Sequence, residues 1–300
     1  VADKSPGGPA TQPAKPAAVV AGPEKIERLE SSLLSVEVSS HGGALRSVRV
    51  QDQQYAENGQ ARDLVRGDNG RAQYGAQVAF VDSDLTVPGA ADWQLARASE
   101  QRIDAVYRQE GALEVRKSFV LAPDNYTLTM AVEVANLSDR TVTERLAVDV
   151  FTEENPHATD GGVFRFAQPL WQIGCRTDGE NKTSSPKDLA QPVSDSTRVR
   201  WVGVAHKYFF LGIAPDPSKN EERACTRERM NDQGLMRARL LYPAWKLGAG
   251  DRVQRDFVVY AGPKLADAME RADAPSHGAT ELGEAISWGL GITKWFSFVA

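Results

Sequence analysis

An all-β fold of stacked antiparallel sheets is what this sequence predicts. Three observations carry that expectation. Apolar residues recur at every second position through the middle of the chain, turn-forming residues punctuate those runs at short intervals, and helical spacing is confined to the part after Pro263. Many short strands without alternating helices pack as a sandwich or barrel rather than as an α/β sheet. The chain has 300 residues, 41% of them hydrophobic, enough for one large core. Its net charge of -5 comes with both signs interspersed and no long basic run, which leaves no electrostatic footprint for nucleic acid.

Residues 1–23 contain Pro6, Pro9, Pro13, Pro16 and Pro23 among small residues, a composition that predicts a disordered or polyproline-II tether. The first residue is Val1 rather than Met, and the last are Trp295, Phe296, Ser297, Phe298, Val299 and Ala300. Both ends read as boundaries within a longer protein.

A β-domain is expected over residues 24–262. Leu34, Val36 and Val38 alternate with Ser35, Glu37 and Ser39 and run into the turn signal His41-Gly42-Gly43. Leu45, Val48 and Val50 follow, with a bulge expected between Leu45 and Val48. The clearest strand is Tyr126–Val134, whose residues Tyr126, Leu128, Met130, Val132 and Val134 share one face. Further strands are read near Gln77–Val81, Ile103–Gln109, Leu113–Leu121, Thr141–Phe151, Val199–Ala205, Tyr208–Ile213, Leu235–Tyr242 and Val253–Ala261. The polar stretch Gly174–Ser196 breaks the pattern and reads as a long excursion at a sheet edge. Over residues 263–300, Pro263 is placed for the first turn of a short helix ending at Ala272. Thr280 is placed to cap a second helix on which Leu282, Ile286 and Leu290 form one apolar stripe.

Cys175 and Cys225 form no C-x-x-C pair and have no histidine at metal-ligand spacing, so a zinc site is not expected. They suit either one disulfide or two semi-buried thiols. The four histidines are His41, His157, His206 and His277. His157 stands near Glu153 and Glu154, a grouping capable of proton transfer, but Asn155 and Pro156 mark a solvated turn there. There is no G-x-S-x-G nucleophile motif and no phosphate loop. No catalytic residue, cofactor or metal is expected.

Several stretches together resemble the periplasmic region of the YidC membrane protein insertase family. Lys117 to Asn136 (KSFVLAPDNYTLTMAVEVAN) is similar to that family's strand, acidic turn and long strand ending at Asn. Trp201 to Pro215 (WVGVAHKYFFLGIAP) is similar to its Trp-Val and Tyr-Phe strand pair. Val259 to Lys264 (VYAGPK) ends a strand in Gly-Pro-Lys before a helix, and Leu282 to Phe298 resembles the aromatic segment leading into the membrane. The resemblance implies a β-supersandwich of the galactose-mutarotase type with short C-terminal helices. It implies a place at the periplasmic face of the bacterial inner membrane and no enzymatic role. The implied partners are the auxiliary SecD/SecF subunits of the Sec translocon, the membrane core of the same chain and the inner-membrane lipid surface. Given that oxidising address, a Cys175–Cys225 disulfide is expected. Leu282, Ile286 and Leu290 are then expected to pack on the sandwich. Trp295, Phe296 and Phe298, with Lys294 among them, are expected at the membrane interface. A second reading, a carbohydrate-binding or sugar-epimerase-like protein of the same fold, leaves the aromatic terminus unexplained.

Overall fold

A computed structural model describes residues 22–56, 61–65, 74–89, 91–153, 171–177, 179–206, 208–219, 221–276 and 278–287. Among these residues the alternating runs become twenty strands. The first half holds β1 (Ile26–Glu30), β2 (Leu34–Ser39), β3 (Ala44–Val50), β4 (Arg62–Asp63), β5 (Gln77–Phe80), β6 (Gln94–Arg97), β7 (Arg102–Gln109), β8 (Leu113–Leu121), β9 (Thr127–Asn136), β10 (Val142–Glu144) and β11 (Leu146–Glu153). The second half holds β12 (Trp171–Thr177), β13 (Glu180–Ser184), β14 (Val193–Thr197), β15 (Val199–His206), β16 (Phe209–Pro215), β17 (Arg223–Arg229), β18 (Leu235–Leu241), β19 (Trp245–Leu247) and β20 (Arg252–Pro263). One α-helix, α1 (Ala266–Asp273), follows.

Nine strands form the main sheet in the order β13-β12-β15-β16-β20-β9-β8-β7-β6, every neighbouring pair antiparallel. A five-stranded sheet, β14-β17-β18-β11-β5, and a four-stranded sheet, β1-β2-β3-β4, complete the sandwich, with β10 and β19 as a short ribbon. The five-stranded sheet packs against β12 and β15, the four-stranded sheet against β6, β7 and β20. The register explains how one sheet carries both. Lys117 and Phe119 on β8 lie opposite Val132 and Met130 on β9, and these lie opposite Arg255 and Phe257 on β20. Val259 lies opposite Ile213, which lies opposite Val202, which lies opposite Cys175. Because alternate residues share a face, this row is continuous across the sheet, and it is buried. One hydrophobic core results.

Cys175 on β12 and Cys225 on β17 are disulfide-bonded, with their Cα atoms 6.5 Å apart and both side chains fully buried. The bond therefore joins the two facing sheets through the core. Gly174–Ser196 is not an irregular excursion: it completes β12 and forms β13 and β14, edge strands of the main and five-stranded sheets respectively. The expected turn at His41-Gly42-Gly43 is present, both glycines having positive φ, and a side chain at Gly43 would collide with the Trp93 ring. The expected bulge falls at Arg46, because Val38 pairs with Leu45 while Glu37 pairs with Ser47.

Pro263 closes β20 instead of opening α1, and Leu265 stands at the helix N-cap position. The sequence around Leu282 forms a 3₁₀ run, Leu282–Ser287, rather than an α-helix capped by Thr280. Its opening amides are taken by a distant carboxylate, as described below.

One buried cation stands out. Lys117 is completely buried, donates to the carbonyl of Ala76 at 2.7 Å, and lies over the Trp93 and Phe119 rings at 5.4 and 5.3 Å. Burial pushes its ammonium pKa down to about 7.

Candidate functional site: the seat of the C-terminal segment

The face of the main sheet turned away from the other two sheets carries Arg176 and Trp201, directly opposite one another on β12 and β15. The pairing then jumps from Arg176–Trp201 to Thr177–Val199, which leaves Arg200 as the extra residue of a bulge. Phe210 lies edge-on to Trp201 at 5.0 Å, over Gly203 and Gly212, where a side chain on either glycine would meet its ring. This face is the seat on which residues 279–287 rest.

Glu281 is the residue the seat holds. Arg176 Nε donates to Glu281 Oε2 at 2.7 Å, Arg200 Nε lies 3.3 Å from Oε1, and Trp201 Nε1 donates to the Glu281 carbonyl at 3.0 Å. Glu281 adopts a left-handed backbone with φ 53°. That conformation is unfavourable for a residue with a Cβ, and the three contacts to one residue offset it. Asn181 donates to the carbonyl of Glu284 at 2.8 Å, and Arg200 to that of Ala279 at 3.4 Å.

The segment is held from its other side by Asp273, at the end of α1. Its carboxylate accepts the hydroxyl of Thr280 and, at 3.1 Å each, the amides of Leu282 and Gly283. Those amides open the 3₁₀ run and would otherwise be unpaired, so Asp273 does what a local cap does, from a separate segment. Leu282 and Ala285 are fully buried, and Ile286 packs half-buried against the core.

Of the residues expected to matter, Leu282 and Ile286 therefore sit on the sandwich. Leu290, Lys294, Trp295, Phe296 and Phe298 lie outside the described residues, as does the tether over residues 1–21. Among the histidines, His41 is buried and contacts the carbonyl of Gly22 at 3.0 Å, while His206 packs among Trp171, Phe209 and Tyr208. His157, Glu154 and His277 lie outside the described residues. Among the described residues, no group of three His, Cys, Asp or Glu side chains could hold a metal, and no helix is long and apolar enough to cross a membrane. Arg176, Arg200, Asp273 and Glu281 were not singled out from the sequence. Arg176 and Glu281 are 105 residues apart, and no local spacing signals such a pairing.

Comparison with known proteins accords with this architecture. The fold resembles a galactose mutarotase-like protein from Lactobacillus casei (TM-score 0.57, 10% identity, covering 79% of this chain and 100% of that one). It also resembles a galactose mutarotase related enzyme from Lactobacillus acidophilus (TM-score 0.54, 13% identity, 79% and 97%). At such identities the likeness is one of fold. In sequence, the chain is 22% identical to a membrane protein insertase YidC from Syntrophus aciditrophicus, covering 96% of this chain and 54% of the relative. It is 25% identical to one from Anaeromyxobacter sp. (93% and 50%) and 24% identical to one from Vibrio cholerae (95% and 52%). The chain thus spans about half the length of these curated relatives. The model of the YidC periplasmic domain matches residues 27–300, from β1 through the seated segment to the last residue, and the chain belongs to that family.

Proposed function

We propose that this chain is the docking and scaffolding module of an inner-membrane insertase, held at the periplasmic face. In this reading it helps membrane proteins insert and fold in concert with the SecD/SecF subunits of the Sec translocon, and it acts as a binding surface rather than as a catalyst. Family membership supports the setting. The observation that carries the mechanical part is the seat: two arginines, a tryptophan and Asp273 hold residues 280–283 on one face of the main sheet. Multi-point attachment of a segment to a rigid sheet fixes direction as well as distance, which a flexible linker does not.

The test uses the full-length protein. Arg176→Ala combined with Arg200→Ala releases Glu281 while leaving the β-core untouched. Client insertion should fall while the β-sheet circular dichroism is retained, and recovery of SecD/SecF with the protein should change with it. Wild-type insertion by a folded double variant would overturn the reading. The carbohydrate alternative draws on fold alone; saturable binding of a free aldose to this chain would revive it.

A further inference from the structure

The end of the sandwich beside the seat holds a cleft with a distinct electrostatic character. It is shallow and open to solvent, and lies where β15, β16 and β17 meet the segment bearing Ala279. Its charged lining is Arg198, Arg200, Lys219 and Arg223 against a single carboxylate, Glu221. Three of the cations are anchored. Arg200 reaches Glu281 and Ala279, Lys219 Nζ donates to the carbonyl of Gln254 at 2.7 Å, and Arg223 donates to the carbonyl of Lys219 at 2.8 Å. Arg198 stands exposed at the rim.

Two buried polar atoms of this cleft lack partners. Arg223 is only 8% exposed, its guanidinium lies over the Tyr242 ring at 5.2 Å, and its Nε has no acceptor. Glu221 Oε2 is buried without a donor, since the nearest Arg223 nitrogen is 3.9 Å away, beyond hydrogen-bond reach. Both groups also line the cleft, so a ligand there meets the accessible part of the Arg223 guanidinium and of the partly exposed Glu221 carboxylate. Such a ligand needs an anionic oxygen for Arg223 and Arg198 and a hydrogen-bond donor for Glu221. It must also be small enough for a shallow cleft.

We propose that this cleft binds a phosphate group that carries a donor beside it, its oxygens on Arg198 and Arg223 and its donor on Glu221. Phosphoethanolamine, with an ammonium two carbons from the phosphate, has this arrangement. Arginine guanidinium matches phosphate geometry closely, and partial burial strengthens the contact. The ligand can come from a lipid headgroup or from solution. The assignment holds independently of the docking reading, because it rests on the cleft alone.

Isothermal titration of this chain with phosphoethanolamine, phosphocholine and inorganic phosphate tests it, together with sedimentation on phosphatidylethanolamine and phosphatidylcholine vesicles. Phosphoethanolamine should bind with a dissociation constant on the order of millimolar, as suits so few heavy atoms. Phosphocholine, whose quaternary nitrogen has no N–H, should bind roughly tenfold more weakly. Arg198→Glu should abolish binding, and Glu221→Gln should erase the preference for ethanolamine over choline. Sedimentation with phosphatidylethanolamine vesicles assigns the lipid source, whereas binding of the soluble phosphates alone assigns the solution source; either supports the site. No binding of any probe, affinity unchanged by Arg198→Glu, or equal affinity for the two head groups would overturn it.

Discussion

Arg255 grips Glu144 at two points inside the sandwich, Nη1 to Oε1 at 3.0 Å and Nη2 to Oε2 at 2.9 Å, with the Tyr242 ring 4.6 Å from the guanidinium. Neither side chain has more than a trace of solvent contact. Such a pair contributes little net stability, because desolvating both charges offsets their attraction, but breaking it strands a charge. Arg255→Met alone should therefore destabilise the protein by about 3–5 kcal/mol. Adding Glu144→Leu should recover most of that loss. Urea unfolding of the two variants checks both statements.

The Cys175–Cys225 bond closes a loop of sequence separation 50 between two facing sheets. A chain-entropy account gives it about 4 kcal/mol of stabilisation through the unfolded state. Unfolding midpoints with and without reductant, and of the Cys175→Ala, Cys225→Ala double variant, should differ by about that amount. Two thiols titrating in the unfolded, unreduced protein would contradict the bond itself.

Lys117 makes stability depend on alkaline pH. Its pKa is about 7 in the folded protein and 10.5 when exposed, so between those values the unfolded chain holds more protons. Its contribution is most unfavourable below about pH 7 and is relieved as pH rises toward 10.5, by on the order of 5 kcal/mol in total. Lys117→Met should therefore remove a stability rise over that window. The difference between wild type and variant is the quantity to follow, because Lys264, also held down by burial, titrates nearby in pH.

Leu282 and Ile286 should separate by burial. Leu282→Ala removes a fully buried side chain and should cost about 2–5 kcal/mol, whereas Ile286→Ala, at a half-buried position, should cost less. Equal losses at the two sites, measured by thermal unfolding, would mean that the seat is packed differently.

Strands with one apolar face were legible in the sequence; those whose inward positions are polar were not. On β17 the inward residues are Arg223, Cys225 and Arg227, buried through guanidinium groups that find partners or aromatic faces inside. No period-two hydrophobic signal survives there. Edge strands β13 and β14 bury little and read as loop for the same reason. Leu282 and Ile286, four residues apart, pack on the core, but in a 3₁₀ run rather than the α-helix that their spacing predicts. Gly283 weakens an α-helix there, and the start of the turn is held by Asp273 rather than by a neighbouring cap. The clamp on Glu281 was invisible because long-range charge pairing leaves no mark in a linear pattern.

Arg176, which holds Glu281, is the chain neighbour of Cys175, which is covalently tied to β17. That adjacency sets a load path. Tension applied to the chain beyond residue 287 passes through the seated segment to β12 and, one residue away, across a covalent bond into the opposite sheet. Both layers then take up the pull together, and the sandwich answers as one body instead of yielding strand by strand from its edge.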